Sequence, residues 1–398
     1  MNRLNIFSQL IKLIPRSLFA GHVRDLGADF GVRRFDSWTW FGSLLFSQYS
    51  GQDSIRALEK IFECSPMAKL GFSSVRRSTF SDANRDRPVE LLERVFKDVQ
   101  AMARSAPRKH RFSEQISGQI LLLDSTFIEL CLGLCPWAGY RHSSQGSRYN
   151  EVKAYGGVKL HAAVDLAGVI PEIVVIQDGT ERVNSDVTVA KTLEFLPGTL
   201  LVMDRGYAGA GHLNQLTQKK VGFVTRVVSR RVKFRRVSSR SVNRTQGIIC
   251  DQEVYFSGED TRAKYTGTLR RIKYREPDTG KEFVFLTNRF DLDAFVVCEL
   301  YRARWQIEAF FKTIKQHFRI KKFLGLNKNA IKAQIFTALI AYLLVTYAKL
   351  TSCSSITTSD LMATVATMLL VPFSLWEILK NVPKKRNHSP PIQMVMPI

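Results

Sequence analysis

The sequence predicts a mixed α/β fold, in which a catalytic core is interrupted by a β-rich insertion and flanked by a helical N-terminal domain and a helical C-terminal region. Three observations predict it. Apolar residues recur at helical spacing in residues 1–105 and again after residue 291. Between residues 119 and 228, β-branched runs alternate with turn signals and short amphipathic stretches. Residues 229–290 are rich in turn residues and alternating segments.

The N-terminal domain, residues 1–105, is predicted to be helical. Its first helix is indicated by apolar residues at helical spacing before Pro15, namely Phe7, Leu10, Ile11 and Ile14. Residues 54–62 and 88–102 have the pattern of further helices. The polar and basic stretch 105–118 is predicted to be a linker.

The core changes to the period of β-strands. Strands are predicted, in chain order, over residues 119–132 (with its return), 156–164, 169–176, 199–203 and 222–228, and short helices over 186–194 and 211–217. Three strands, a helix, a strand, a helix and a strand is the order of the ribonuclease H-like fold. The carboxylates of that fold gather at adjacent strand ends.

The C-terminal half is predicted to return to helix after the insertion. Residues 291–318 form one helix, with Asp291 or Asp293 as its N-cap. We therefore expect the core to comprise 119–228 and 291–350, the insertion 229–290, and a helical C-terminal region with a mobile tail 351–398. Residues 333–350 are apolar but short for a membrane span, which indicates a buried core helix.

The charge balance favours a polyanionic partner. The chain has 58 Lys and Arg against 35 Asp and Glu, a formal net charge of +23. Cationic side chains that contact phosphates release counterions, so nucleic acid is the leading candidate. A membrane surface is the alternative, weakened because the basic residues are spread along the whole chain. With no secretory signal and no zinc-like cysteine spacing in the sequence, we expect a reducing cytoplasm.

Three acidic residues are the candidate metal ligands. Asp124 follows the apolar run 120–123, and Asp204 follows the apolar run 200–203. Glu308 is on the predicted helix 291–318. Carboxylate oxygens suit Mg²⁺ or Mn²⁺ better than Zn²⁺. Two such ions, roughly 4 Å apart, can activate a water or a 3′-hydroxyl for displacement at phosphorus.

The helix around Glu308 supplies further candidates. At about 100° per residue, Tyr301, Arg304, Glu308 and Lys315 share one polar stripe. A neighbouring apolar stripe can pack on the sheet; it consists of Ile307, Phe311, Ile314 and Phe318. The alternative is an exposed helix face with an i,i+4 salt bridge between Arg304 and Glu308. The two aspartates after buried-type runs favour the metal site.

These residues resemble the DDE transposases of the bacterial insertion sequence 4 family. That family carries a Tyr-x2-Arg-x3-Glu-x6-Lys motif, and here Tyr301, Arg304, Glu308 and Lys315 match every spacing. Asp124 in Leu-Asp-Ser-Thr and Asp204 in Asp-Arg-Gly-Tyr match the two aspartate blocks. The resemblance covers residues 121–326, and the long second gap would accommodate the β-rich insertion.

The resemblance implies a mechanism and partners. Asp124, Asp204 and Glu308 would be the catalytic residues and hold two Mg²⁺ (or Mn²⁺) ions. Arg304 and Lys315 would bind phosphates, and Tyr301 would contact the terminal phosphate region or a displaced base. The enzyme would nick double-stranded DNA at the inverted repeats of its element and transfer the 3′ ends to target DNA. It would act as a homodimer on paired ends, in the prokaryotic cytoplasm near the nucleoid, without a membrane partner.

Further basic residues are predicted to bind DNA. The segment 226–244 is strongly basic, and phosphate contacts are predicted for Arg230, Arg231, Arg235 and Arg236. A solvated charge run is the alternative. The N-terminal domain is predicted to bind DNA: residues 73–80 are interpreted as reading the element ends, with a basic loop between packing helices as the alternative.

Other polar residues of the core are interpreted structurally. Turn formation, capping or solvation explains four acidic residues, Asp165, Asp178, Glu181 and Asp186. His161 is interpreted as a hydrogen-bonded core histidine rather than support for a ligand, and Trp305 as a packing residue rather than a base-stacking one. Three alternative functions stay open: a purely hydrolytic nuclease of the same fold, a non-catalytic DNA-binding relative, and an RNA-binding protein.

Overall fold

A single mixed sheet organises the described part of the protein. The computed structural model describes residues 4–63, 71–74, 76–131, 133–142, 153–178, 186–227, 232–318, 320 and 322–380. Within them the strands are β1 (Ile120–Leu130), β2 (Gly139–His142), β3 (Lys153–Asp165), β4 (Ile170–Asp178), β5 (Leu200–Met203), β6 (Gly222–Arg226), β7 (Phe234–Ser239), β8 (Ile248–Phe256), β9 (Leu269–Arg275) and β10 (Glu282–Thr287). The sheet order is β2-β3-β1-β5-β6-β10-β9-β8-β7, and β4 also pairs with β3.

The centre of the sheet is parallel. β5 pairs in parallel with β1 on one side and with β6 on the other, and Leu123 lies opposite Met203. The three strands therefore end their shared stretch at one edge, the usual place for a ligand site in such sheets. β3 runs antiparallel to β1 over ten residue pairs. On its far edge β3 pairs first with β2 and then with β4.

The predicted strand ends need one correction. Asp204 does follow β5 directly, but Asp124 lies within β1 and not at its end. β1 continues to Leu130 because β3 keeps pairing with it beyond the point where β5 stops. The return strand predicted within residues 119–132 is therefore absent: that whole stretch from Ile120 to Leu130 is one strand.

Residues 234–287 extend the same sheet. β10 pairs antiparallel with β6, and β9, β8 and β7 follow as an antiparallel series. Four strands therefore lie within the segment predicted to be a β-rich insertion, and they are continuous with the core sheet. An ion pair between Arg270 and Asp251, each with a side chain 3% exposed, connects β9 to β8.

Helices cover both faces of the sheet and form the N-terminal region. Among the described residues they are α1 (Ile6–Ile11), α2 (Arg16–Leu26), α3 (Ser37–Ser50), α4 (Ile55–Glu63), α5 (Arg77–Asp86), α6 (Glu90–Ser105), α7 (Asp186–Thr192), α8 (Ala210–Gln218), α9 (Glu259–Lys264), α10 (Ala294–Ala303), α11 (Trp305–His317), α12 (Lys328–Thr351), α13 (Thr358–Met368) and α14 (Leu375–Lys380). Asp293 caps α10 by accepting a hydrogen bond from the Phe295 amide, as one of the two predicted caps.

Alternation along the strands separates two cores. Leu122 and Val202 face α10, α11 and α12 in the larger core. Leu123 and Met203 face α7 and α8 in the smaller one. Because successive strand side chains point to opposite faces, neighbouring residues of β1 serve different cores. This separation decides where the polar residues that follow Leu123 point.

The N-terminal helices pack on the long helix α12. The Tyr49 hydroxyl donates to the carbonyl of Ala341 at 2.8 Å, and one hydrophobic core includes α1, α3, α6 and α12. Within the described residues, only α12 is long and apolar enough to cross a membrane, and 89% of its most apolar window is buried in the protein. The predicted linker is not loose, because Phe112 and Ile116 are buried. The domain boundaries themselves stay a prediction.

Candidate active site

Two aspartates are brought together by the parallel pairing of β1 and β5. Asp124 and Asp204 each follow the paired residues Leu123 and Met203. Both therefore point to the face of the sheet that α10 and α11 cover. Asp204 lies close enough to Asp124 for its charge to raise the pKa of Asp124.

The predicted helix 291–318 is wrong in one respect: it is two helices. α10 ends at Ala303 and α11 begins at Trp305, so Arg304 lies at the junction. The apolar stripe predicted on this segment is confirmed, since all four of its residues are buried: Ile307, Phe311, Ile314 and Phe318.

Arg304 connects the sheet to the helix. Its Nη1 donates to Asp124 Oδ2 at 2.9 Å, and its Nη2 donates to Glu308 Oε1. The salt bridge to Glu308 that was the alternative interpretation is therefore present. It is not on an exposed face, because the Arg304 side chain is only 13% exposed and also contacts Asp124. The Arg304 Nε atom is buried and has no hydrogen-bond partner among the described residues.

Tyr301 completes the contact with the second aspartate. Its hydroxyl donates to Asp204 Oδ1 at 3.1 Å, and its ring lies 5.0 Å from that of Phe285. Tyr301 is 7% exposed. In this structure its hydroxyl therefore orients the Asp204 carboxylate. Its predicted contact with DNA stays a prediction.

The electrostatics of the site favour an additional cation. Burial raises the pKa of Asp124 to about 6; Arg304 and the Ser125 amide lower it, and Asp204 and Glu308 raise it. Burial also raises the pKa of Tyr301 to about 12. The pKa of Arg304 is raised although burial opposes this, because Tyr301, Asp124 and Glu308 favour its charge. Arg304 bonds Asp124 and Glu308, and Asp204 lies near enough to raise its pKa, so its single charge does not balance the three carboxylates.

An open cavity leads to the carboxylates. It has a volume of about 390 Å³, and Asp124 and Glu308 line it together with Lys312 and Lys315. Lys315 was predicted from the motif, and Lys312 was missed. Lys312 follows Glu308 by four residues on α11, so the helical period could have identified it. Acidic ligands and basic side chains thus border one space.

The donor set fits hard divalent cations, although it is not assembled as a metal site. Across the described ranges, no three Asp, Glu, His or Cys side chains converge as ligands. The reason is visible in the contacts: the Arg304 guanidinium occupies the space between Asp124 and Glu308. The oxygen atoms of Asp124, Asp204 and Glu308 are the ligand type that Mg²⁺ and Mn²⁺ prefer.

Two of the four basic residues predicted to bind DNA lie in the described part of the extension. Arg235 and Arg236 are exposed on β7, and Arg230 and Arg231 lie outside the described residues. Nothing in the described contacts assigns a role to Arg235 or Arg236, so their DNA contact stays a prediction.

Several structural interpretations can be compared with the contacts. Asp165 accepts from the Ala167 amide at 2.8 Å in a turn, as expected. His161 is a core residue, 1% exposed, whose Nε2 lies 3.2 Å from Gln177 Oε1. The expectation that Trp305 packs against a neighbouring segment is wrong, because Trp305 is 56% exposed. Glu181 lies outside the described residues.

Comparison with known proteins gives the family. Residues 116–344 match the model of the transposase DDE domain, and residues 2–70 match a domain of unknown function, DUF4372. A putative transposase, y4zB, of Sinorhizobium fredii (strain NBRC 101917 / NGR234) is 32% identical over 66% of this chain and 69% of its own length.

Two further relatives belong to insertion sequences. A probable transposase for insertion sequence element IS5377 of Geobacillus stearothermophilus is 25% identical over 69% of this chain and 67% of its own length. A putative transposase for IS4SA of Synechocystis sp. (strain ATCC 27184 / PCC 6803 / Kazusa) is 25% identical over 77% and 78%. A cryo-EM structure of the piggyBac transposase synaptic complex with hairpin DNA aligns over 95% of this chain and 82% of that one, with a TM-score of 0.45 and 12% identity.

The transposase DDE domain model matches more than half of the chain, and the chain covers more than two thirds of the y4zB transposase. The chain therefore belongs to the DDE transposases of the insertion sequence 4-like type, enzymes that cut DNA and join the cut strands.

Proposed function

We propose that this transposase binds the terminal inverted repeats of its own insertion sequence, cleaves DNA at the element ends and transfers the 3′ ends into target DNA. Asp124, Asp204 and Glu308 are its catalytic residues. The observation that carries the proposal is that Arg304 bonds both Asp124 and Glu308, and the neighbouring Tyr301 bonds Asp204, beside a cavity bordered by Lys312 and Lys315. A net charge of +23 supplies the attraction for DNA.

The three carboxylates are proposed to hold two Mg²⁺ or Mn²⁺ ions. When bound, such ions activate the attacking oxygen and stabilise the leaving oxygen of an in-line displacement. The protein's own groups orient the ligands: Tyr301 holds Asp204, and the Ser125 amide holds Asp124. Arg304 must release Asp124 and Glu308 for the ions to bind, and its guanidinium is then free to bind a phosphate beside them.

Lys315 and Lys312 are proposed to hold DNA phosphates at the mouth of the cavity. Both line it on the same side as Glu308. An ammonium group binds phosphate as a point charge and tolerates small changes in position. Such a tolerant contact suits a DNA strand that is first cleaved and then joined to a second DNA.

The remaining parts of the chain are given roles by the same proposal. The parallel strands and the helices around them form a ribonuclease H-like core, and residues 229–290 form the β-rich insertion. The insertion would present Arg235 and Arg236 to DNA, since both are exposed on β7. The N-terminal helical domain would recognise the element ends. A homodimer would pair the two ends in the cytoplasm, near the nucleoid.

Purified protein, a DNA fragment carrying one element end and Mg²⁺ provide the test. Wild-type protein should nick at the end and join the 3′ strand to a second DNA. Asp124→Ala, Asp204→Ala or Glu308→Ala should each lower the nicking rate by roughly 10³-fold or more, because metal stabilisation of the transition state is worth several kcal/mol. Binding of the end without metal should persist.

The exposed carboxylate Asp291, paired with Arg289, provides a matched control. Asp291→Ala should nick and join at the wild-type rate. A variant with all three residues, Asp124, Asp204 and Glu308, changed to Ala should not join DNA. If it still does, the site assignment is wrong. Nicking without any joining by the wild type would instead favour the hydrolytic nuclease.

A further inference from the structure

A second polar cluster lies on the opposite face of the sheet from the carboxylates. Ser125 follows Asp124 on β1 and therefore points the other way, toward α7 and α8. It lies opposite His161 of β3, and Lys159 is two residues away on the same face. Asp186, the first residue of α7, contacts this group. Tyr207, 2% exposed, covers it from the turn after Asp204.

The contacts centre on Asp186. Its Oδ1 accepts from Ser125 Oγ at 3.1 Å and lies 2.5 Å from Lys159 Nζ. His161 Nδ1 lies 3.8 Å from the same oxygen. Lys159 is 22% exposed and Asp186 30%, so the pair is partly shielded from water. A charge-assisted hydrogen bond in such a place is stronger than one between neutral groups at the surface.

The cluster is connected to the candidate metal site through one residue. The Ser125 amide donates to Asp124 Oδ1 at 2.8 Å. Arg304 occupies the other oxygen of Asp124, Oδ2. When Arg304 leaves, the Ser125 amide is the contact that still fixes the Asp124 carboxylate. The direction of that amide depends on how β1 is held at Ser125: the pairing with β3 holds the backbone, and Asp186 holds the side chain.

We propose that Asp186 is a positioning residue of the active site: it anchors the Ser125 side chain, so that the Ser125 amide orients the Asp124 carboxylate toward a divalent cation. Lys159 fixes Asp186 in turn. The inference rests on the proposed role of Asp124 as a ligand. It explains why Asp186 is ion-paired and partly buried, which plain solvation at the start of a helix would not require.

The test uses the metal-free full-length protein and Mn²⁺ alone, with binding followed by calorimetry or electron paramagnetic resonance. Asp186→Ala should weaken Mn²⁺ binding about tenfold, the low end of what loss of a ligand-orienting partner costs. Ser125→Ala should give a similar loss, and Ser125→Thr, which keeps a hydroxyl, should bind Mn²⁺ like wild type. Asp260→Ala breaks an exposed ion pair on α9 and is the control.

A double variant shows whether Asp186 acts on Mn²⁺ binding through Ser125. Ser125→Ala with Asp186→Ala should weaken Mn²⁺ binding no more than about either single change, because both remove the same contact. The melting temperature of each variant is measured alongside. A purely structural role would lower the melting temperature and leave Mn²⁺ affinity unchanged well below it.

Two outcomes separate this inference from the proposed function. Wild-type Mn²⁺ affinity in Asp186→Ala, together with lost affinity in Asp124→Ala, would overturn the role of Asp186 and leave the metal site intact. Unchanged Mn²⁺ affinity in Asp124→Ala would overturn the ligand assignment and, with it, this inference. A tenfold loss in Asp186→Ala with an unchanged melting temperature supports both.

Discussion

Two arginines in this protein pair with carboxylates, but one pair is closed and charge-balanced and the other is not. Arg270 donates to both oxygens of Asp251, at 2.9 and 2.6 Å, and also to the carbonyls of Arg289 and Leu292. Its charge is matched by one carboxylate and its donors are satisfied. Arg304 is shared among more carboxylates than it can neutralise, beside an open cavity, and its Nε has no partner among the described residues.

The difference distinguishes a structural ion pair from a functional one. A closed, charge-balanced pair gains nothing from another ion, and breaking it leaves a buried charge. Where one arginine faces several carboxylates beside open solvent, a cation can replace the arginine as their partner. The first arrangement fixes β8 to β9. In the second, the contacts of Arg304 with Asp124 and Glu308 can be replaced by contacts with a cation.

The largest effect on stability is expected at the closed pair. Asp251→Ala should lower the free energy of unfolding by about 3–5 kcal/mol, because Arg270 is left buried without a partner. Denaturant unfolding measures this. Asp124→Ala, in the metal-free protein, should cost less than Asp251→Ala, since Arg304 keeps Glu308 as a partner and is not left as an unpaired buried charge.

Replacing both members of the closed pair sharpens this result. Arg270→Met with Asp251→Leu should recover much of the lost stability, because apolar residues of similar volume often replace a buried pair without cost. Equal destabilisation by Asp251→Ala and Asp124→Ala would mean that the two arginines do not differ in kind.

A second effect is expected on the affinity for metal. Arg304→Ala should strengthen Mn²⁺ binding to the DNA-free protein on the order of tenfold, since two unit charges about 4 Å apart interact by several kcal/mol at the dielectric of a protein surface. Titration calorimetry measures it. The same variant should nick DNA more slowly, because it lacks the guanidinium that binds phosphate.

The neighbouring Arg302 supplies the control for this experiment. It pairs with Glu299 and stands outside the carboxylate group. Arg302→Ala should leave Mn²⁺ affinity unchanged. Weaker Mn²⁺ binding in Arg304→Ala would mean that Arg304 supports the ligands and does not compete with the ion.

The smallest effect is expected at Tyr301. Tyr301→Phe removes one hydrogen bond to Asp204, worth about 1 kcal/mol, so the nicking rate should fall roughly fivefold. The ring still packs on Phe285, so the melting temperature should not change. Single-turnover nicking measures the rate, and Tyr274→Phe, which loses a hydroxyl contact with Arg302, is the matched comparison. A loss as large as that of Asp204→Ala would show that the hydroxyl itself takes part in the chemistry.

Some of this arrangement could be predicted from the sequence because it depends on local patterns. Two apolar runs that each end in an aspartate predicted neighbouring buried strands, and parallel pairing puts Asp124 beside Asp204. The motif spacing identified the family, which the domain match confirms. The apolar period of residues 307–318 predicted the buried face of α11.

Other features depended on contacts between distant segments. The sequence cannot show that β3 extends the pairing of β1 past Asp124, since a strand's length is set by its partner. It could not predict the junction at Arg304, because an uninterrupted helical period continues across it. Asp186 had ordinary surroundings in the sequence, and its role depends on the residues that it contacts in the fold.

By itself, the sequence determined the chemistry of the side chains and their order: three carboxylates, a motif of fixed spacing and a strongly basic chain. Hydrophobic period and covalent spacing are properties of the chain alone. The tertiary structure decided that Arg304 bridges Asp124 and Glu308, that Tyr301 holds Asp204, and that the two faces of β1 carry two different polar groups. Those contacts join residues up to 180 positions apart, and only the packing of helices on the sheet brings them together.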